Sequence, residues 1–388
     1  MSEDDRLLRR LERLIDETDF AWSFCLVGED QSRKLAEMND DLKRPYSESG
    51  TGKRILSGYS YWGIEPTIAW QRACNDPYYP VMKDGIESFE ARWARVAPTL
   101  PDGRFHYFSL DPGTGEKDRV VVGQLHPSHQ EMLYVPVDLS AQMLRICVQP
   151  MRVLPFVRSL RKRILPVQLD FSVEENVREL DGLRSRLVGD EPVLFSLLGN
   201  TMANFDDDLQ LVAALSKALM RPDDKLLLEV ATASRLSAES ATVAASEYHR
   251  SKAFQEFVVS ALHQHTDLPI AMEDVAFEGH VDSDRSIAIR VLYRNRSGGD
   301  LKMMLPDRTE IPFPAGDTIR LYVTRKYERG ALDTALDSIG LSVEAAGHSP
   351  MSSRGRGFGL DLLLLSRRDA PPVDARRASR EVFRSPRS

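Results

Sequence analysis

The sequence predicts an α/β protein built on a parallel sheet. Short apolar runs recur that stop at an Asp or a Gly, helical runs lie between them, and the alternation holds from Phe105 to Val230. Strands separated by helices at this spacing need crossovers, and crossovers put helices on both faces of a parallel sheet.

Taken in order, residues 5–17 (DRLLRRLERLIDE) repeat Leu and Ile at helical spacing and predict an amphipathic helix. Residues 40–53 are polar, carry Pro45, Gly50 and Gly52, and read as a loop; residues 87–96 read as a helix. The first strand starts at Phe105 and runs into the turn DPGTGEKD, with its helix beginning at residues 120–124. Residues 133–137 form a second strand, followed by Asp138 and a helix over 140–146. A third strand over 164–169 stops at Asp170, and a fourth over 193–198 leads into GNTMANF. A helix over 209–220, a turn at Pro222 and a fifth strand over 225–230 complete the series. Late strands are predicted over 317–327 and 358–365, with a helix over 330–339 between them. Between Ala233 and Pro314 the alternation stops, which predicts a separate unit.

Composition sets the outer bounds. At 388 residues two domains, or one with a large insertion, are expected. Hydrophobic residues make up 42%, in stretches too short to span a membrane, and Met1–Arg10 is charged where a leader would be apolar. The three cysteines (Cys25, Cys74, Cys147) match no metal spacing and predict buried thiols in a reduced, cytoplasmic setting. A net charge of −7 argues against nucleic acid as the main partner. From Arg367 to the end, seven Arg face three acidic residues with Pro371, Pro372 and Pro386 interleaved, so residues 367–388 read as a disordered basic tail.

The chemistry gathers at predicted strand ends. Gly113 and Gly115 sit in the turn after the first strand, where a backbone without Cβ atoms lets a cofactor approach. Asp138 ends the second strand, suited to a ribose diol or, alternatively, to capping the next helix; Asp170 ends the third and suits an adenine amine. A competing phosphate loop, SGTGKR (49–54), has Ser47 where the first Gly belongs and Arg54 where Ser or Thr would hold magnesium, and is rejected. The scattered histidines offer no ligand set, and no metal is expected.

LLGNTMANF, LDPGTGEKD, VPVDLS, LDF and DPYYP occur in a consistent order and together resemble the histidine-specific methyltransferase family of the ergothioneine pathway, over roughly residues 53–365. The resemblance implies a Rossmann-like class I methyltransferase domain (83–233 plus 327–366) with a second, smaller substrate-binding α+β domain (1–82 plus 234–326). It implies S-adenosylmethionine as cofactor, held by Asp111, Gly113, Thr114, Lys117, Asp138, Asp170 and Phe171. It also implies an amino-acid-like acceptor held by Asn204, with Tyr78 and Tyr61 facing it as candidate catalytic groups. Two departures stand out. The family's turn opens with an acid and then Gly, whereas Ser109 and Asp111 occupy those positions; Asp111 could crowd the cofactor or take over the missing acid's role. The histidine branch reads its imidazole with a Glu and a Ser, where Tyr322 and Thr324 stand here, so the charge-assisted contact that selects histidine is lost.

The expectation is therefore an N-methyltransferase of a free amino acid or amino-acid-derived metabolite other than histidine, in specialised metabolism, working as a monomer or weak homodimer. A guanidine-type side-chain methyltransferase would need pocket carboxylates, with Glu229 and Asp111 as candidates, and Tyr248 is a further substrate-facing candidate. A non-catalytic cofactor-binding subunit is the third reading, motivated by the altered turn.

Overall fold

The computed structural model describes Gly28 and residues 32–101, 104–351 and 357–368. The predicted helix over 5–17 and most of the basic tail lie outside the described residues.

Thirteen strands follow among the described residues: β1 (Lys53–Arg54), β2 (His106–Leu110), β3 (Tyr134–Asp138), β4 (Val167–Gln168), β5 (Val193–Leu197), β6 (Lys225–Ala233), β7 (Val275–Val281), β8 (Ser286–Arg294), β9 (Leu301–Met304), β10 (Glu310–Phe313), β11 (Thr318–Tyr327), β12 (Leu341–Pro350) and β13 (Phe358–Arg367). β2, β3 and β5 are buried at every residue, as strands covered on both faces must be. They read as apolar runs rather than alternations, which is why they were legible.

The parallel part runs β4-β3-β2-β5-β6. β13 then pairs antiparallel along the whole of β6, and β12 pairs with β13. This is a Rossmann-like sheet whose strand order turns around at β2, so the crevice between the loops after β2 and β5 is where such folds bind ligands. Buried apolar clusters cover both faces, one around Phe108, Val135, Phe195 and Leu228, the other around Trp93, Tyr107, Tyr134 and Leu227.

β6 is longer than β5, and the free stretch of its edge takes another partner. Beyond the end of β5, β11 joins in parallel at Tyr327 opposite Thr232, and β8 and β7 add antiparallel strands beyond it. Within the segment where the strand-helix alternation stops, β7 and β8 therefore continue the same sheet, while β9 and β10 pair with each other in a separate two-stranded sheet. Helices Ile64–Cys74, Ala238–His249 and Lys252–His265 accompany that half, with Ser237 and Ser251 capping the last two through bonds to Ser240 N and Phe254 N. A third apolar cluster, rich in Tyr61, Trp70, Tyr79, Phe254 and Phe257, fills this side. The domain boundaries expected at 82/83 and 326/327 fall inside helix Pro80–Glu87 and inside β11.

The predicted loop over 40–53 is too long at both ends: residues 40–42 belong to helix Ser32–Leu42, and Lys53 opens β1. Its Lys53 is held by Asp317 at 2.7 Å in a buried ion pair, a structural use of the residue that made the stretch look like a phosphate loop. No described helix is long and apolar enough to cross a membrane.

Candidate active site

The turn after β2 is made by three left-handed residues: Asp111 at φ 58°, Gly113 at φ 56° and Gly115 at φ 80°. Gly115 has no alternative, because a Cβ there would meet the Cys147 carbonyl oxygen at 1.9 Å. A Cβ on Gly113 would meet nothing within 4 Å, so its backbone borders open space. After β5, Gly199 and Asn200 also adopt positive φ, and the Gly199 site is likewise open. Asn200 is fully used: its amide donates to Thr324 Oγ1 and the Arg325 carbonyl, both at 3.1 Å, and its oxygen accepts from Ala231 N at 2.8 Å. It ties the loop after β5 to β6 and β11. Arg325 braces the same loop by donating to the carbonyls of Ala203, Phe205 and Asp206.

Between these loops lies a cleft of about 950 Å³ lined by, among others, Tyr61, Asp111, Asp138, Asp170, Phe171 and Asn204. That is at the upper end for small-molecule sites. Asp138 is buried, and its carboxylate accepts from Ser140 N at 2.7 Å, while Ser140 itself caps the following helix through Met143 N. The cap belongs to Ser140, which leaves Asp138 facing the cleft. Asp170 accepts from the backbone and hydroxyl of Ser172, and Phe171 sits 6.2 Å from the ring of Phe205.

Asp111 accepts from Thr201 Oγ1 at 2.6 Å and lies within hydrogen-bonding reach of Asp138. Burial first, and the neighbouring carboxylate second, pushes Asp138 well above the ordinary aspartate range; burial also raises Asp111.

Tyr61 and Tyr322 share a hydrogen bond of 2.7 Å, and Asn204 Nδ2 donates to Tyr61 Oη at 3.4 Å. Tyr61 packs against Trp70 and Phe257 at 5.0 Å. Burial raises both phenols far above their usual range, with Asp111 adding to each, so both stay protonated at neutral pH. Neither Tyr322 nor Thr324 lines the cleft: Tyr322 is buried and reaches it through its bond to Tyr61, and Thr324 is buried on Asn200.

Two expected contacts are placed elsewhere. Tyr78 is 57% exposed, with Arg250 over its ring, because it sits in the turn before helix Pro80–Glu87; its neighbour Tyr79 points inward against Trp70, Tyr248 and Phe254. Lys117 does not line the cleft; its ammonium is bound to Glu229, which also takes Arg92 and the Gly199 N–H. Burial would raise Glu229, but Lys117 and Arg92 outweigh it and hold the carboxylate below its ordinary value. Glu229 is thus fully committed beneath the cradle and is not a pocket carboxylate. Thr114 turns its hydroxyl to Glu116 at 3.0 Å.

At the cleft's mouth Arg54 and Arg320 converge on Asp206, at 2.8 and 2.7 Å. No sequence pattern marks this trio, since its members are far apart in the chain and meet only because β1 pairs with β11. At the opposite end of the sheet, His106, His129 and Glu191 cluster with ligand atoms within 4.8 Å. Leu133 N donates to His106 Nδ1 at 3.0 Å, so the ring's proton sits on Nε2 and donates toward Glu191. That leaves no lone pair of His106 for a metal.

A carboxylate at the end of β3, a turn after β4 bearing Asp170 and Phe171, and the open backbone at Gly113 fit an adenosine cofactor, and they define a Rossmann-like nucleotide-cofactor enzyme. The model of the histidine-specific, S-adenosylmethionine-dependent methyltransferase family matches residues 53–354, and the chain belongs to that family. No curated protein matches the chain. Among solved structures it is similar to the CcbJ methyltransferase from Streptomyces caelestis (14% identity, 84% of this chain and 100% of that one, TM-score 0.35). It is also similar to a SAM-dependent methyltransferase from Anabaena variabilis (11% identity, 79% and 96%, TM-score 0.38). A third is the magnesium protoporphyrin IX methyltransferase from Synechocystis with bound SAH (12% identity, 80% and 97%, TM-score 0.38).

Proposed function

We propose that the protein N-methylates a free amino acid or an amino-acid-derived metabolite other than histidine, in specialised metabolism. The observation that carries this reading is the hydrogen-bonded group Asn204, Tyr61 and Tyr322 beside the cofactor cradle. An amide and two phenols suit the polar backbone of an amino acid and a side chain that is aromatic, apolar or hydroxyl-bearing. Where the histidine branch carries a Glu, Tyr322 offers a protonated phenol, which cannot select an imidazole by charge.

The cofactor supplies an electrophilic methyl group. Asp138, Asp170 and Phe171 would hold it, with Gly113 giving backbone access. Asn204 orients the acceptor, and alignment of the nucleophile is the main catalytic contribution. Tyr61 lends its π face to the positive charge that the transfer distributes. The phenols keep their protons, so an ammonium acceptor loses its own to water at the open mouth of the cleft.

The half of the sheet formed by β7, β8 and β11, with the helices packed on it and the segment before residue 83, works in this reading as the substrate-binding lobe. Asp111 in the cleft favours one alternative, a cationic guanidine acceptor. A methyl-transfer screen over the common amino acids, read by mass spectrometry, decides between them. Methylation of an aromatic, apolar or hydroxyl amino acid supports the proposal; arginine as sole substrate favours the alternative; trimethylated histidine as the main product sinks both.

A further inference from the structure

Asp111 stands where the resemblance to the family calls for a glycine, and the surrounding structure is adapted to it. Its left-handed backbone (φ 58°) is one that Asp tolerates better than most residues. The parallel register sets Leu110 opposite Val137, and Asp111 N donates to the Val137 carbonyl at 2.8 Å, so residues 111 and 138 end adjacent strands side by side. Both carboxyls line the cleft within hydrogen-bonding reach of each other, and the Thr201 hydroxyl is fixed on Asp111 from across it.

Of the cations that line the same cleft, Arg54 and Arg320 are bound to Asp206 and Arg178 to Glu174 and Glu175, while Lys217, Glu37 and Asp207 complete the charged lining around the pair. Asp170 faces it from the turn after β4, Tyr61 and Tyr322 from the acceptor side, and Cys74 from helix Ile64–Cys74. The nearby cations Lys117 and Arg92 are bound to Glu229, and the polar partners of Asp111 are Thr201 and Asp138. Two buried carboxylates in contact cannot both ionise easily, so the pair shares a proton. A cofactor diol donating to Asp138 holds that carboxylate as the anion and leaves the proton on Asp111. The cofactor's sulfur is joined to its ribose through one carbon, so its charge enters the same cradle.

We propose that Asp111 distinguishes the cationic cofactor from its neutral thioether product: the Asp111–Asp138 pair keeps one proton in the free protein, Asp111 carries it when S-adenosylhomocysteine is bound, and the pair gives it up only when the sulfonium form binds. The proton passes to solvent and no bond other than O–H is broken. Such a residue weakens retention of the product relative to the cofactor, and does so more strongly as pH rises.

The test is calorimetric titration of the full chain with each compound in two buffers of different ionisation enthalpy, over a pH series starting near pH 6, about two units above an ordinary aspartate. The expected result is release of close to one more proton with S-adenosylmethionine than with S-adenosylhomocysteine. Over that window the ratio of their affinities should rise by up to about tenfold per pH unit. Asp111→Asn, which keeps the shape and the left-handed backbone, and Asp111→Gly should each abolish the difference while still binding both compounds. Equal proton counts for the two compounds in the wild type, or a difference that survives in both variants, overturns the proposal. Failure of both compounds to bind the wild type would instead strike the cofactor assignment, which the thioether titration reports separately.

Discussion

Gly113 and Gly115 lie two residues apart in one turn and answer to different constraints. Gly115→Ala would force a Cβ into the Cys147 carbonyl at positive φ, so a stability loss of about 3 kcal/mol or more is expected in urea unfolding. Gly113→Ala meets no atom, so the cost should stay near the left-handed penalty of about 1 kcal/mol. Its main effect should be on cofactor affinity, measured by titration with S-adenosylhomocysteine. Asn204→Ala removes the amide beside Tyr61 and should raise KM for the acceptor by about tenfold, the equivalent of one polar contact, while cofactor Kd is unchanged. Steady-state kinetics alongside a binding titration separates the two. At this scale the sequence was uneven. Asp138 and Asp170 were legible because strand ends in such folds are predictable positions, and the structure sets both on the cleft. The choice between Tyr78 and Tyr79 was not, since adjacent residues in a turn point opposite ways and no period reveals which faces inward.

The turn and its helix rest on an ionic anchor. Arg92 from helix Phe89–Val96 and Lys117 from helix Glu116–Leu125 converge on Glu229 of β6, and all three are buried. Glu229→Gln leaves two cations without their counter-charge, and a loss of about 3–5 kcal/mol is expected in chemical denaturation. Loss of no more than a surface mutation's effect would show the anchor to be dispensable. The helices after β2, β3 and β5 and the fully buried strands could be read from apolar runs; β7 to β10, and helices such as Ile64–Cys74, Ala238–His249 and Lys252–His265, could not. β7 mixes Glu and His with apolar residues (VAFEGHV) and is placed by pairing with β8, β8 is placed by pairing with β11, and β9 and β10 pair with each other, so position follows from pairing rather than from local pattern. The trio of Arg54, Asp206 and Arg320 was hidden for the same reason.

For the whole molecule, buried carboxyls set the pH response. Burial lifts Asp118, which takes the hydroxyls of Tyr107 and Tyr134, to about 6, and raises Asp111 and Asp138 as well. A folded state whose acids hold protons longer than the unfolded chain loses stability as pH rises from about 4 through those raised values. Asp111→Asn should therefore gain stability relative to wild type between pH 5 and pH 8. Urea unfolding at both pH values checks the sign. The same architecture joins the cofactor half and the acceptor half through one sheet, with Asn200 and Arg325 bridging them at the loop that carries Asn204. In the proposed reading cofactor and acceptor binding share that loop, and the identity of the acceptor is the central question. The most direct test is competition: an equimolar mixture of free amino acids, including histidine and arginine, is given to the protein with S-adenosylmethionine, and the products are counted by mass spectrometry. A methylated aromatic, apolar or hydroxyl amino acid should dominate and should fall sharply in Asn204→Ala. Histidine methylated in preference to all others would contradict the account.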